Sequence, residues 1–182
     1  MAERYELRFS GAGGQGLITA GIILAEAASI IEGKSAVQSQ SYGPEARGGA
    51  SKSEVIISDG PIDYPKATIV DACLAMTQEA ADKYANGIKK GGLLLLDADF
   101  VHTAPKGDFI VHRLPIMRMA KEDIGREIVA NVVALGAMIG LTGVVSREAG
   151  EEAVLRKVPE AFKELNKKAF SLGFEKAKEL AN

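Results

Sequence analysis

One cysteine, Cys73, stands among 182 residues. A lone thiol excludes an intrachain disulfide framework, a cysteine-ligated zinc site and any iron–sulfur cluster held by this chain alone. Redox chemistry involving this protein therefore needs its metal centre on another chain. Histidine is as scarce: His102 and His112 fall in a predicted turn and a predicted strand, with no helical pairing, so no shared metal is expected. Neither sign of charge dominates. The 22 Lys and Arg against 24 Asp and Glu give a formal net charge of −2, which leaves no chain-wide basic field for a polyanion and makes nucleic acid an unexpected partner. The opening Met1-Ala2-Glu3-Arg4-Tyr5 lacks the basic-then-apolar layout of a secretory signal, so a cytoplasmic protein is expected. Ile128 to Val145 is 18 residues without a charge, near the lower limit for a membrane span. Asn131, Gly136, Gly140, Thr142 and Gly143 interrupt it, and Ser146 is placed to cap a new helix, so a buried helix is expected and no membrane partner.

What is present is a globular composition, 47% hydrophobic and 25% charged. At this length a chain buries roughly 70% of its unfolded surface in one core, and neither an internal repeat nor a low-complexity linker divides it. A single domain over 1–182 is expected. Tyr5 to Ser10 alternates apolar and polar and reads as a strand; Leu17 to Glu32 reads as a mostly apolar helix stopped at Gly33. Ser35 to Tyr42 and Ser53 to Ser58 read as two strands around a glycine-rich loop. Ala67 to Met76 is a buried strand, Thr77 caps a helix through Asn86, and Leu93 to Leu96 and Phe109 to Leu114 are further strands. Beyond Pro115 only helices are expected, from Gly125 or Arg126, from Ser146 to Val158 and from Pro159 to Asn182. This order predicts an α/β protein: a three-layer α/β/α sandwich with a Rossmann-like start, a mostly parallel or mixed sheet and a helical C-terminal third. The sheet is mixed if Ser35 to Ser58 forms a hairpin.

Two segments carry the functional signal. Gly11-Ala12-Gly13-Gly14-Gln15-Gly16 follows the first strand and opens the first helix, where glycines let the backbone approach a ligand and a helix N-terminus offers N–H groups to an anion. A nicotinamide dinucleotide site also needs an acid at the end of the second strand. That strand, Ser35 to Tyr42, has none; Glu32 precedes it and Glu45 follows it. A tight turn without a ligand is the other reading. In the second segment, Tyr42-Gly43-Pro44-Glu45-Ala46-Arg47-Gly48-Gly49-Ala50-Ser51, glycines and Pro44 display Arg47, whose planar fork suits a carboxylate or phosphate. A local Glu45–Arg47 pair in a solvated loop is the alternative. Asp97 and Asp99, after the leucine strand, are expected to close a turn. Cys73, Ile116, Met117 and Met119 are expected to pack, the charged tail from Ser146 to be structural, and the small residues of the uncharged helix to admit another subunit.

With these two glycine segments, a Val-Ile-Ile-Ser strand, a Pro-Ile-Asp-Tyr-Pro stretch and Asn131-Val-Val-Ala-Leu-Gly-Ala, the sequence resembles the gamma subunit of 2-oxoacid:ferredoxin oxidoreductases over most of Tyr5 to Gly140. The Tyr-Gly-Pro-Glu-Ala-Arg form with Asp-Tyr-Pro most resembles the 2-oxoglutarate type. The resemblance implies one subunit of a complex that converts 2-oxoglutarate, coenzyme A and oxidised ferredoxin to succinyl-coenzyme A, carbon dioxide and reduced ferredoxin. It implies alpha, beta and ferredoxin-like delta partner subunits that hold thiamine diphosphate, Mg2+ and iron–sulfur clusters. This chain alone is then inactive, with no metal of its own and no catalytic residue assigned. Its expected contribution is to meet the phosphates of coenzyme A, or to shape the thiamine site, through Gly11, Gly13, Gly14, Gln15, Gly16, Tyr42, Gly43, Glu45, Arg47, Gly48 and Gly49. The rival readings are a stand-alone NAD(P)-binding oxidoreductase and a non-catalytic nucleotide-binding or scaffold module.

Overall fold

The computed structural model of the chain describes residues 3–43 and 49–181. Side chains alternate along a strand, and in β1 (Arg4–Ala12) this sends Leu7 and Phe9 to one side and Glu6, Arg8 and Ser10 to the other. Both sets are buried. Beside β1 on one flank runs β3 (Ala50–Ser58), antiparallel, with β2 (Ser35–Tyr42) antiparallel outside it. On the other flank β4 (Val70–Ala75), β5 (Ile88–Asp97) and β6 (Ile110–Leu114) follow in parallel. The six-stranded sheet therefore has the order β2-β3-β1-β4-β5-β6 and is mixed, with Ser35 to Ser58 forming the expected hairpin.

Two unequal helical layers cover the sheet. Leu7, Phe9, Val55, Ala72, Leu74 and Leu95 pack under α1 (Leu17–Glu26), α4 (Ala130–Thr142), α5 (Arg147–Lys157) and α6 (Lys163–Ala181). On the other face α2 (Gln78–Tyr84) sets Ala80 and Ala81 against Cys73, Ala75, Leu94 and Leu96. Thr77 caps α2 by accepting the N–H of Ala80, and Ser146 caps α5 through that of Ala149. No helix among the described residues is long and apolar enough to cross a membrane.

Departures from expectation have local causes. The strand expected from Ala67 begins at Val70 because the N–H groups of Thr68 and Ile69 donate to the Glu6 carboxylate, at 2.6 and 2.9 Å, instead of to a neighbouring strand. β5 reaches back past Gly91-Gly92 to Ile88, and β3 starts at Ala50. After Pro115 an unexpected helical segment, α3 (Ile116–Arg118), runs on as a wider turn over Met119–Ile124. It is held by the buried Ile116, Met119 and Ala120, and is too short to show a helical period.

α4 and α6 cross at backbone contact. A methyl group on Gly136 would lie 2.2 Å from the carbonyl oxygen of Phe170, and one on Gly173 would lie 1.9 Å from that of Val133. The small residues of the uncharged helix thus receive the chain's own last helix, which corrects the expectation that they admit another subunit.

The polar face of β1 is buried because its charges are paired. Arg8 lies 2.7 Å from Glu54, which also meets Lys52 at 2.9 Å. The Arg8 guanidinium donates at 2.8 Å to the carbonyls of both Tyr84 and Asn86, tying β1 to the end of α2. Burial pushes the Glu54 carboxyl up, but Lys52 and Arg8 outweigh it and hold it below the ordinary range.

Gly136→Ala is expected to lower stability by about 3 kcal/mol, because overpacking against backbone outweighs the gain in helix propensity; a urea midpoint will measure it. Glu54→Gln is expected to cost about 3 kcal/mol near neutral pH by leaving Arg8 buried without its partner. Since the native pKa of Glu54 is depressed, its contribution is present above the ordinary carboxylate range and lost as pH falls through the native value. The gap between wild type and variant in denaturation series should narrow in acid.

Candidate functional site

β1 is the topological switch point of the sheet: the chain builds β2 and β3 to one side of it and β4 to β6 to the other. Open α/β sheets bind ligands outside the carboxyl end of such a strand. There the chain turns through Gly13 to Gly16 into α1. Gly14 and Gly16 have φ of +89° and +76°, a region that side chains rarely adopt. Gln15 folds back so that its Oε1 accepts the N–H of Ala12 at 2.8 Å, and the Asn131 amide donates to the Gly16 carbonyl at 3.2 Å.

The second glycine segment arrives at the same place. Ala12 of β1 is opposite Ala50 of β3, and Ser51 is opposite Tyr42 of β2. The N–H of Gly13 donates to the carbonyl of Gly49 at 3.1 Å, and that of Gly43 to the carbonyl of Ala50 at 3.1 Å. Both ends of the Arg47 segment are therefore anchored beside the glycine turn. Glu45, Arg47 and Gly48 themselves lie outside the described residues.

Gly13, Gly14, Gln15 and Gly16 form one wall of a cleft of about 510 Å³, and Met117, Glu127, Ile128, Ala130 and Asn131 form the other. Gly11 stands behind the first wall, buried in β1, where a methyl group would strike Gln15 and Leu17. Tyr42 is exposed at the end of β2. The second wall was not assigned from sequence. Asn131 begins a run without periodicity, and nothing in residue spacing says that α4 starts opposite α1. Neither α1 nor α4 has a side-chain cap, unlike α2 and α5. The first turn of α1 leaves N–H donors without helical partners, whereas α4 runs on from the turn Glu127–Val129, where the Ala130 N–H donates to the Glu127 carbonyl. Glu127 is the acidic residue on the rim.

Other candidates fall to structural roles. Asp97 is fully buried, and its two oxygens accept the N–H groups of Asp99, Phe100 and Met117 at 2.9, 3.3 and 2.9 Å. It closes the expected turn and also fixes Met117, which lines the cleft. Burial raises its pKa in spite of those three donors. Cys73 is fully buried, and burial pushes its thiol up to about 12, so it is a core residue and no nucleophile. Among the described residues no group of three or more His, Cys, Asp or Glu is gathered to hold a metal ion.

The geometry also bears on the dinucleotide reading. In a Rossmann unit the strand after the first helix lies parallel beside β1 and ends in the acid that holds the ribose. Here antiparallel β3 occupies that place, and β2 lies beyond it.

Comparison with known proteins agrees. The profile of the family described as pyruvate ferredoxin/flavodoxin oxidoreductase matches residues 6–176. The chain is 53% identical over 179 residues to the 2-oxoglutarate synthase subunit KorC of Methanocaldococcus jannaschii, covering 97% of this chain and 96% of that one. It superposes with a TM-score of 0.91 and 67% identity on the gamma subunit of a keto/oxoacid ferredoxin oxidoreductase from Geobacter sulfurreducens, covering 99% and 98% of the two chains. A 2-oxoglutarate:ferredoxin oxidoreductase from Magnetococcus marinus, solved with 2-oxoglutarate, coenzyme A and succinyl-CoA bound, shares the fold at a TM-score of 0.84 and 24% identity; the match covers 97% of this chain and 31% of that one.

Asn131→Ala removes the side chain that pins the glycine turn to α4. The expected result is a loss of about 1 kcal/mol in stability, with faster amide exchange confined to the turn and the first residues of α1, read by hydrogen-exchange mass spectrometry. Unchanged exchange there would show that the contact does not hold the turn.

Proposed function

Because this chain belongs to the pyruvate ferredoxin/flavodoxin oxidoreductase family, we propose that it is the gamma-type subunit of a 2-oxoglutarate:ferredoxin oxidoreductase. The complex converts 2-oxoglutarate, coenzyme A and oxidised ferredoxin to succinyl-coenzyme A, carbon dioxide and reduced ferredoxin. Full-length similarity to KorC and to the Geobacter gamma subunit supports this reading. The stand-alone NAD(P) reading is not favoured.

Within the complex this chain binds and orients. Thiamine diphosphate and iron–sulfur clusters, when bound, supply the decarboxylation and electron-transfer chemistry. The residues of this chain do not fit a cluster, since its one cysteine is sealed in the core, and they gather no carboxylate set for Mg2+ among the described residues. These groups belong to the alpha, beta and ferredoxin-like delta subunits of a cytoplasmic complex.

The observation that carries the binding role is the Gly13–Gly49 hydrogen bond, which sets one end of the Arg47 segment against the glycine turn that walls the cleft at the uncapped start of α1. Backbone donors at Gly14 and Gly16, with the Arg47 guanidinium, suit the phosphates of coenzyme A. Among the described residues the cleft walls offer no general acid or base besides Glu127 at the rim, which fits a subunit that holds a co-substrate and leaves the chemistry to its neighbours.

Gly13 is the informative position for a test. Its φ is not positive, and an added Cβ would meet the Gly49 carbonyl at an ordinary 3.8 Å, so Gly13→Asp adds charge without strain. In the reconstituted complex, Gly13→Asp and Arg47→Ala should each raise the apparent KM for coenzyme A about tenfold, or about 1.4 kcal/mol. The KM for 2-oxoglutarate and the thiamine diphosphate content should stay unchanged. Variants with an unaltered KM for coenzyme A would refute the binding role.

A further inference from the structure

Gln15 and Asn131 each spend only half of a side-chain amide on the fold. The N–H of Ala12 can only donate, so the Gln15 atom 2.8 Å from it is the carbonyl Oε1. The Gly16 carbonyl can only accept, so the Asn131 atom 3.2 Å from it is the amide Nδ2. Backbone partners thereby fix which way both amides face. Left over are the Nε2 donor of Gln15 and the Oδ1 acceptor of Asn131, and neither has a partner among the described residues. Neither is sealed in the fold as an orphan, so both open to solvent. Asn131 also borders an apolar groove that Gln15 does not reach, whereas the cleft is lined by both residues.

The two amides flank Gly16. Gln15 precedes it in the chain, and Asn131 comes so close that a methyl group on Gly16 would lie 3.1 Å from the Asn131 Cβ. The glycine wall thus contributes an amide donor and the α4 wall an amide acceptor, next to the residue whose N–H is offered to a phosphate.

We propose that Gln15 and Asn131 are specificity-determining residues that recognise one secondary amide of the co-substrate, its C=O held by Gln15 Nε2 and its N–H by Asn131 Oδ1. The proposal rests on the coenzyme A reading above and extends it from the phosphates to the pantetheine arm. A trans amide is planar and points its C=O and its N–H in opposite directions, which suits a donor and an acceptor on opposite walls. Adenine, the other hydrogen-bonding part of coenzyme A, carries its amino donor and a ring-nitrogen acceptor side by side on one edge, which suits a donor and an acceptor on the same wall. Met117 and Ile128 line the Asn131 wall as well and offer aliphatic surface to the two methyl groups that pantetheine carries beside its first amide. That amide is also the one nearer the phosphates, as the position of the pair around Gly16 requires.

The test uses two fragments as inhibitors competitive with coenzyme A in the reconstituted complex. S-methyl pantetheine keeps the amides without phosphate, base or free thiol; adenosine 3′,5′-bisphosphate keeps base and phosphates without an amide. Gln15→Met and Asn131→Ala should each raise the inhibition constant of S-methyl pantetheine about tenfold and leave that of the bisphosphate within about twofold. Gly13→Asp should do the reverse. If a variant does not join the complex, Gln15→Glu, which still accepts from Ala12, and Asn131→Ser repeat the measurement on S-methyl pantetheine, which has no charge for a new carboxylate to repel. Equal weakening of both fragments shows that the residues only hold the turn, and weakening of the bisphosphate alone shows that they meet the base; either result overturns the proposal. So does an effect of only one of the two residues, or a wild-type complex that S-methyl pantetheine does not inhibit. A Gly13→Asp complex whose KM for coenzyme A and inhibition by the bisphosphate are unaltered overturns the coenzyme A reading itself.

Discussion

The antiparallel insertion of β3 beside β1 is the constraint from which the site follows. A conventional βαβ unit would place the second strand parallel to and directly beside the first, and the loop after it, at the same end of the sheet, would lead into a helix and not back along β1. Here the chain crosses to the edge as β2, reverses, and returns as β3 with Ala50 opposite Ala12. The reversal sits at the carboxyl end of β1, and the carbonyl of Gly49 meets the N–H of Gly13. One pairing register thus brings together two glycine segments separated by a whole helix and a strand. The same pairing occupies the position from which a dinucleotide enzyme would present its ribose-binding acid.

Much of this was legible in the sequence. The start of the first helix after a glycine run, the caps at Thr77 and Ser146, the buried leucines of β5 and the hairpin all follow from local chemistry. What was not legible depends on long-range partners. Alternation in β1 gave the strand but could not tell that its polar side is buried, since that depends on Glu54 and on carbonyls at the end of α2. Thr68 and Ile69 look like strand residues until Glu6 takes their N–H groups. Gly136 and Gly173 fall in helical runs where neither hints at the other, and their meaning appears only when α6 folds across α4.

The candidate site shows the same division. Its glycine wall is a local motif and was readable; the wall from Met117 to Asn131 is a tertiary product and was not. Asp97 connects the two cases. Its place at the end of a parallel strand marks it as a ligand candidate, yet all of its accepting capacity that the structure records goes to backbone N–H groups of its own turn and of Met117. A carboxylate so engaged acts on the site by holding its wall in place.

The chemical character of the cleft then follows from what its walls can offer. Their donors are mainly backbone amides, which carry a fixed dipole and do not titrate near neutral pH. The nearby buried Asp97 serves the fold, and the Cys73 thiol is pushed up to about 12 by burial. Walls of this kind, among the described residues, favour discrimination by charge and shape. That character is what the proposed co-substrate role would call for, a rigid and preorganised set of donors. Rigidity is supplied from three sides: Asn131 reaches Gly16 from α4, Gln15 closes the turn from within, and β3 holds Gly13 from the sheet. Releasing any one of them would leave the donors present but no longer aimed together.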